Sequence, residues 1–139
     1  MSPKKILVPL VPSAKDLKSV HYAMSLAERL SAHVYILQQA DASGLDNPLS
    51  LWMGEALLDL INSARQAGLV VSHHITHRNL EEEIVGLVRD EGIDVLVFGD
   101  DDAAGERLVL QIKPLIPSQI IQVKGKDHIN YLKEEDGAR

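Results

Sequence analysis

The chain has 139 residues, of which 45% are hydrophobic and 24% charged, a balance that excludes whole-chain disorder and fits a single globular domain. A chain of this length buries roughly 68–70% of its unfolded surface and needs no disulfide or metal to hold a core. Its net charge of −6 is unevenly spread: Asn79 to Glu106 holds ten acidic residues and one basic residue, Arg89, a local net of −9 that leaves +3 for the rest, which is no electrostatic footprint for a nucleic-acid backbone.

Apolar runs such as Val95–Phe98 and Leu108–Leu110 fall far short of the ~20 residues of a bilayer-crossing helix. The five aromatic residues, Tyr22, Tyr35, Trp52, Phe98 and Tyr131, are too scattered for a base-stacking platform. Cysteine is absent, which removes disulfides, thiolate metal sites and cysteine nucleophiles and suits a reducing compartment. Met1–Ile6 carries two lysines without the long apolar region and cleavage site of a signal peptide. A cytoplasmic location is expected.

Lys5–Leu10 is a nearly continuous apolar strand, as expected for burial on both faces. Pro9 lacks a backbone donor and is tolerable only where a ladder stops. Ser13 or Asp16 is placed to cap a helix running to about Leu30, with Val20, Ala23, Met24, Ala27 and Leu30 on its apolar face. His33–Gln38 is the second strand and Asp41–Pro48 a loop. Leu49–Ala67 is a second helix that packs Trp52, Leu57, Leu60, Ile61 and Ala64 and stops at Gly68. Leu69–Thr76 is the third strand.

Asn79 and Glu82 form a capping box, and Glu81–Glu83 suit the positive end of a helix dipole. That helix turns Ile84, Leu87 and Val88 inward and ends at Gly92. Asp94–Phe98 is a strand, Ala103–Lys113 a short helix halted by Pro114, and Gln119–Val123 a fifth strand. The domain is expected to end near residue 124, with 125–139 a polar, loose tail apart from Ile129, Tyr131 and Leu132.

The order β-α-β-α-β-α-β-α-β predicts an open parallel sheet with helices on both faces. Ligands of such sheets bind beyond the carboxyl ends of the strands where strand order reverses, here the loops Val11–Ser13 and Gly99–Gly105.

Three segments carry a likeness: Ile6–Ser13 with Val20–Leu30, then Glu82–Gly99, then Pro117–Val123. Together they resemble the universal stress protein family, over about residues 4–124. The resemblance implies a five-stranded Rossmann-like parallel sheet of order 3-2-1-4-5, a homodimer, and a binding or regulatory role in stress response. One branch of that family binds ATP or AMP and carries Gly-x-x-Gly, about nine residues, then Gly-[Ser/Thr] after strand four. Backbone N–H groups of such glycines cradle phosphate oxygens.

This chain departs from that pattern. Gly99 is followed by Asp100, Asp101 and Asp102, Gly105 is the only later glycine before strand five, and no serine or threonine lies between Asp100 and Pro117. The family's adenine-facing aspartate falls on Val11. Two like charges ~4 Å apart cost ~1 kcal/mol in water and ~4 at an effective dielectric of about 20, so three carboxylates where phosphates would lie oppose ATP. No cofactor is expected. A nucleotide entering by its base would meet Leu10, Val11, Gln39, Phe98 and Gly99. A nucleotide-binding member with a degenerate loop, and an accessory domain docking on a transporter or sensor kinase, stay open as alternatives.

Other motifs read as structure. Asp100–Asp102 could offer oxygen ligands to Mg²⁺ or Ca²⁺ but are read as a solvated acidic turn leading a helix, whose positive end they suit, and no metal site is expected. His73 and His77 face one side of a strand and His74 the other. Residues four apart are ~13 Å apart along a strand, too far to share an ion unless the chain turns after Thr76. Ser13 lacks a nucleophile elbow, and His21 reads as a surface residue. No nucleophile, base and orienter come together, so no enzyme activity is expected. Gln119, Ile120, Ile121, Gln122 and Val123, on a bare apolar sheet edge, are expected to form a two-fold dimer interface. The competing arrangement has the tail fold back over that edge.

Overall fold

The computed structural model describes residues 3–11, 16–39, 48–99, 103–124 and 129–133. Its elements are β1 (Lys5–Leu10), α1 (Lys18–Leu30), β2 (His33–Gln39), α2 (Pro48–Gln66), β3 (Val71–Thr76), α3 (Leu80–Glu91), β4 (Val95–Gly99), α4 (Ala103–Ile112), a 3-10 turn (Lys113–Leu115), β5 (Gln119–Val123) and β6 (Ile129–Lys133). They build one sheet of order β3-β2-β1-β4-β5-β6. The first five strands are parallel in the predicted order, and β6 runs antiparallel to β5.

Alternation along each strand divides the core between two layers. On one face Ile6, Val8, Val34, Ile36, Val97 and Ile121 pack under α1 and α2 through Val20, Ala23, Ala27, Leu57 and Ile61. On the other, Leu7, Leu37, Leu96, Phe98 and Ile120 pack under α3 and α4 through Ile84, Val88, Leu108 and Ile112. Central strands sealed on both faces explain their unbroken apolar runs. Leu30 departs from the expected core face and is 44% exposed. It is the last residue of α1, where Ser31 in the left-handed conformation turns the chain toward β2.

Helix ends follow local chemistry. The Asn79 side chain accepts a hydrogen bond from the Glu82 N–H at 3.1 Å, the predicted cap of α3. Gly92 ends that helix at φ +71°, and Gly68 at φ +97° follows α2, conformations that favour glycine. The start of α1 is a correction: Leu17 occupies the N-cap with no side-chain cap. Asp16 instead accepts from the Lys18 N–H at 3.1 Å, a short side chain bonding two residues on. Ser13 and Trp52, singled out in the sequence, lie outside the described side chains.

The fifth strand also departs from expectation. Gln119–Val123 is not a free edge, because β6 pairs along it through Ile121↔Tyr131, Gln122↔Asn130 and Val123↔Ile129. Five residues separate β5 from β6, a common antiparallel hairpin length. In this arrangement the β5 backbone groups expected to seek a second copy are met by residues 129–133 of the chain's own tail. Among the described residues, no helix is long and apolar enough to cross a membrane.

Candidate functional site

The carboxyl ends of β1 and β4 meet at the switch in strand order. β1 pairs with β2 along its whole length, to Leu10↔Gln38, but with β4 only through Ile6↔Val95 and Leu7↔Leu96. Pro9 supplies the reason. The Lys5 carbonyl accepts from Asp94 N–H at 2.9 Å, so the main-chain groups of Lys5, Leu7 and Pro9 point toward β4. Extending the ladder to Val8 and Val97 needs an N–H at position 9, and proline has none. The two strands therefore end unpaired with each other where a ligand of this fold class would sit.

Leu10, Val11, Phe98 and Gly99 gather at this end. Leu10 is buried in the layer under α1 and α2. Val11 is half-buried against the opposite layer, which contains Phe98, and Gly99 is half-buried as the last residue of β4. Gln39 does not join them. Its side-chain amide donates to the Arg78 carbonyl at 3.2 Å and is held at the β3–α3 turn. Asp100–Asp102 lie outside the described residues. The group is apolar, with no hydroxyl, imidazole or carboxylate among these four side chains, so it offers shape and backbone donors rather than acid–base chemistry.

The histidines do not assemble. His73 Nε2 lies 3.0 Å from Gln38 Oε1, and burial, followed by the nearby Arg65 and His74, lowers its pKa. His33 Nε2 lies 2.9 Å from Ser72 Oγ, and its pKa is lowered by burial and then by Lys5, with Glu91 opposing. Its ring stacks on Tyr35, centroids 4.1 Å apart. Burial and a hydrogen bond of 3.1 Å to Glu91 raise the Tyr35 phenol. His21 is exposed. Among the described residues no three His, Asp or Glu side chains are placed to share a metal ion.

A second concavity, of about 320 Å³, lies between β3 and α3 and is lined by residues including Leu37, His74, Thr76, Arg78, Glu83 and Leu87. Sequence reasoning did not single it out. The available signal was positional: His74 and Thr76 share one face of β3, and Glu83 and Leu87, four apart, share one side of α3.

A sequence model of the universal stress protein family matches residues 3–111. No curated protein matches the chain. Solved structures are similar in fold. A universal stress protein from Archaeoglobus fulgidus in complex with dAMP shares 16% identity, with 89% of this chain and 100% of that one covered, at a TM-score of 0.62. UspA from Lactobacillus plantarum shares 18% identity over 89% of this chain and 99% of its own, at 0.60. A family protein from Arabidopsis thaliana with AMP bound shares 16% over 90% and 94%, at 0.56. With the parallel order 3-2-1-4-5 and a family match over most of its length, the chain belongs to the universal stress protein family.

Proposed function

We propose that the chain is a non-enzymatic binding and regulatory module of the cytoplasm that does not hold ATP through a phosphate loop. One observation carries this reading. The connection leaving β4 has Asp100-Asp-Asp102 in place of a glycine cradle, and no serine or threonine before Pro117. The A. fulgidus and Arabidopsis relatives are described with dAMP and AMP. This chain keeps their fold but lacks the run of glycines that lets backbone N–H groups approach phosphate oxygens. The absence of cysteine suits a reducing compartment. Self-association, which the family resemblance implies, would have to use a surface other than the β5 edge or displace β6.

The unpaired ends of β1 and β4 favour a second, weaker mode in which a base or another flat apolar group rests by Leu10, Val11 and Phe98 while phosphates are repelled. Replacing Asp100, Asp101 and Asp102 together by Asn tests the charge argument. Calorimetry is expected to show stronger ATP binding in the variant and unchanged adenosine binding. Equal ATP affinity in parent and variant removes the repulsion from the account. Stoichiometric Mg²⁺ or Ca²⁺ binding to the parent, lost in the variant, makes the aspartates a metal site instead.

A further inference from the structure

The concavity between β3 and α3 lies two strands away from the β1/β4 switch, and nothing in the proposed function uses it. We propose that it binds a small zwitterion with an apolar body, of the chemistry of a free aliphatic α-amino acid. Its volume of about 320 Å³ lies at the lower end of the roughly 300–1,000 Å³ of small-molecule sites, which suits a ligand of few atoms. Leu37, which is buried, and Leu87, which is half-buried, supply apolar lining.

Charge of both signs stands beside that lining. Arg78 Nε and Glu83 Oε1 are 4.0 Å apart, beyond hydrogen-bond range, so this pair leaves each group capacity for a further partner. An α-amino acid carries its ammonium and carboxylate on the two sides of one carbon. It can therefore present the carboxylate to Arg78 and the ammonium to Glu83 while its side chain lies on the leucines. A plain anion would oppose Glu83, and a plain cation would oppose Arg78.

The arginine is also positioned by its surroundings. Its N–H donates to Thr76 Oγ1 at 3.0 Å, and its carbonyl accepts from the Gln39 amide at 3.2 Å. Thr76 is itself buried. Two side chains thus anchor the main chain from which the exposed guanidinium extends. His74 forms a wall beside Tyr35, with ring centroids 6.3 Å apart and planes within 12°, and Tyr35 is tied to Glu91.

The test is an NMR titration of the full chain with three probes: L-leucine, 4-methylpentanoate, which lacks the ammonium, and 3-methylbutylamine, which lacks the carboxylate. L-Leucine is expected to bind saturably with a Kd of about millimolar order, shifting the methyl signals of Leu37 and Leu87 and the amides of Arg78 and Glu83. Each analogue, and each of the variants Arg78→Gln and Glu83→Gln with leucine, is expected to bind at least about tenfold more weakly, as loss of a charge-assisted contact requires. Melting temperatures of the two variants check that the fold is retained. Non-saturating shifts at tens of millimolar, analogues that bind as well as leucine, or variants of unchanged affinity overturn the proposal. The probes carry no base or phosphate and the signals lie at a separate site, so the outcome is independent of the nucleotide question.

Discussion

The guanidinium of Arg65 reaches from the last turn of α2 to the Val71 carbonyl, donating from Nε at 3.1 Å and Nη2 at 2.8 Å. Val70 offers its carbonyl to Val34 of β2 at 2.9 Å, so the next carbonyl along, that of Val71, faces the outer side. β3 is a terminal strand of the sheet, and an open strand edge invites pairing with another chain. Arg65→Ala is therefore expected to cost about 1 kcal/mol in urea denaturation and to raise concentration-dependent light scattering. No change in either measurement contradicts an edge-protecting role. His33 and His73 provide a second prediction at this scale. Both have folded-state pKa values lowered from 6.5, chiefly by burial, so the unfolded chain takes up protons first as pH falls. Their contribution is fully present above about pH 6.5 and declines as pH drops from there toward the lower folded values. Denaturation midpoints at pH 7.5 and 5.5 are expected to differ in that direction, and the double variant His33→Gln, His73→Gln to flatten the difference. An undiminished slope in the double variant contradicts the assignment.

Among the elements, β6 changes the character of the β5 edge. Ile120, Ile121 and Val123 are buried on a strand now paired on both sides. Removing 125–139 takes away that partner and leaves apolar, strand-favouring residues at a bare edge. The truncated chain is expected to self-associate at tens of micromolar by light scattering and to melt at lower temperature than the full chain. A monomeric truncation of undiminished stability contradicts the covering role of β6. This element was also the hardest to read in the sequence. The parallel strands β1, β2, β4 and β5 announce themselves as apolar runs because both faces are largely buried, whereas the edge strand β3 carries Ser72, His73 and His74; Lys5–Leu10 and Gln119–Val123 have the expected bounds. β6 pairs through its backbone and needs no such run. Its register also slips, with Ile120↔Lys133 followed by Ile121↔Tyr131, so that Leu132 is passed over and the period of two is broken. At the site, the position of Leu10, Val11, Phe98 and Gly99 at the carboxyl ends of β1 and β4 follows from strand order alone. The direction of Gln39 does not, since it depends on where the β3–α3 turn brings the Arg78 carbonyl. The β3–α3 concavity depends on how a helix settles on a strand, which no local pattern encodes.

At the scale of the whole molecule, a family fold is kept while the chemistry at the end of β4 differs. The ladder between β1 and β4 ends at Leu7↔Leu96, which leaves the crevice of the fold open. The acidic stretch from Asn79 to Glu106, net −9, includes Asp100–Asp102 in the connection that leaves β4. The measurement that tests this most directly is the melting temperature of the full chain in millimolar Mg-ATP. A ligand at about 100 times its Kd adds ~2.7 kcal/mol, which for a domain of this size is a shift of several degrees, at about 2–8 °C per kcal/mol. The expected result is a melting temperature unchanged to within about 1 °C; a saturable rise of several degrees with Mg-ATP would show that phosphate binding survives the loss of the glycine cradle and contradict the account.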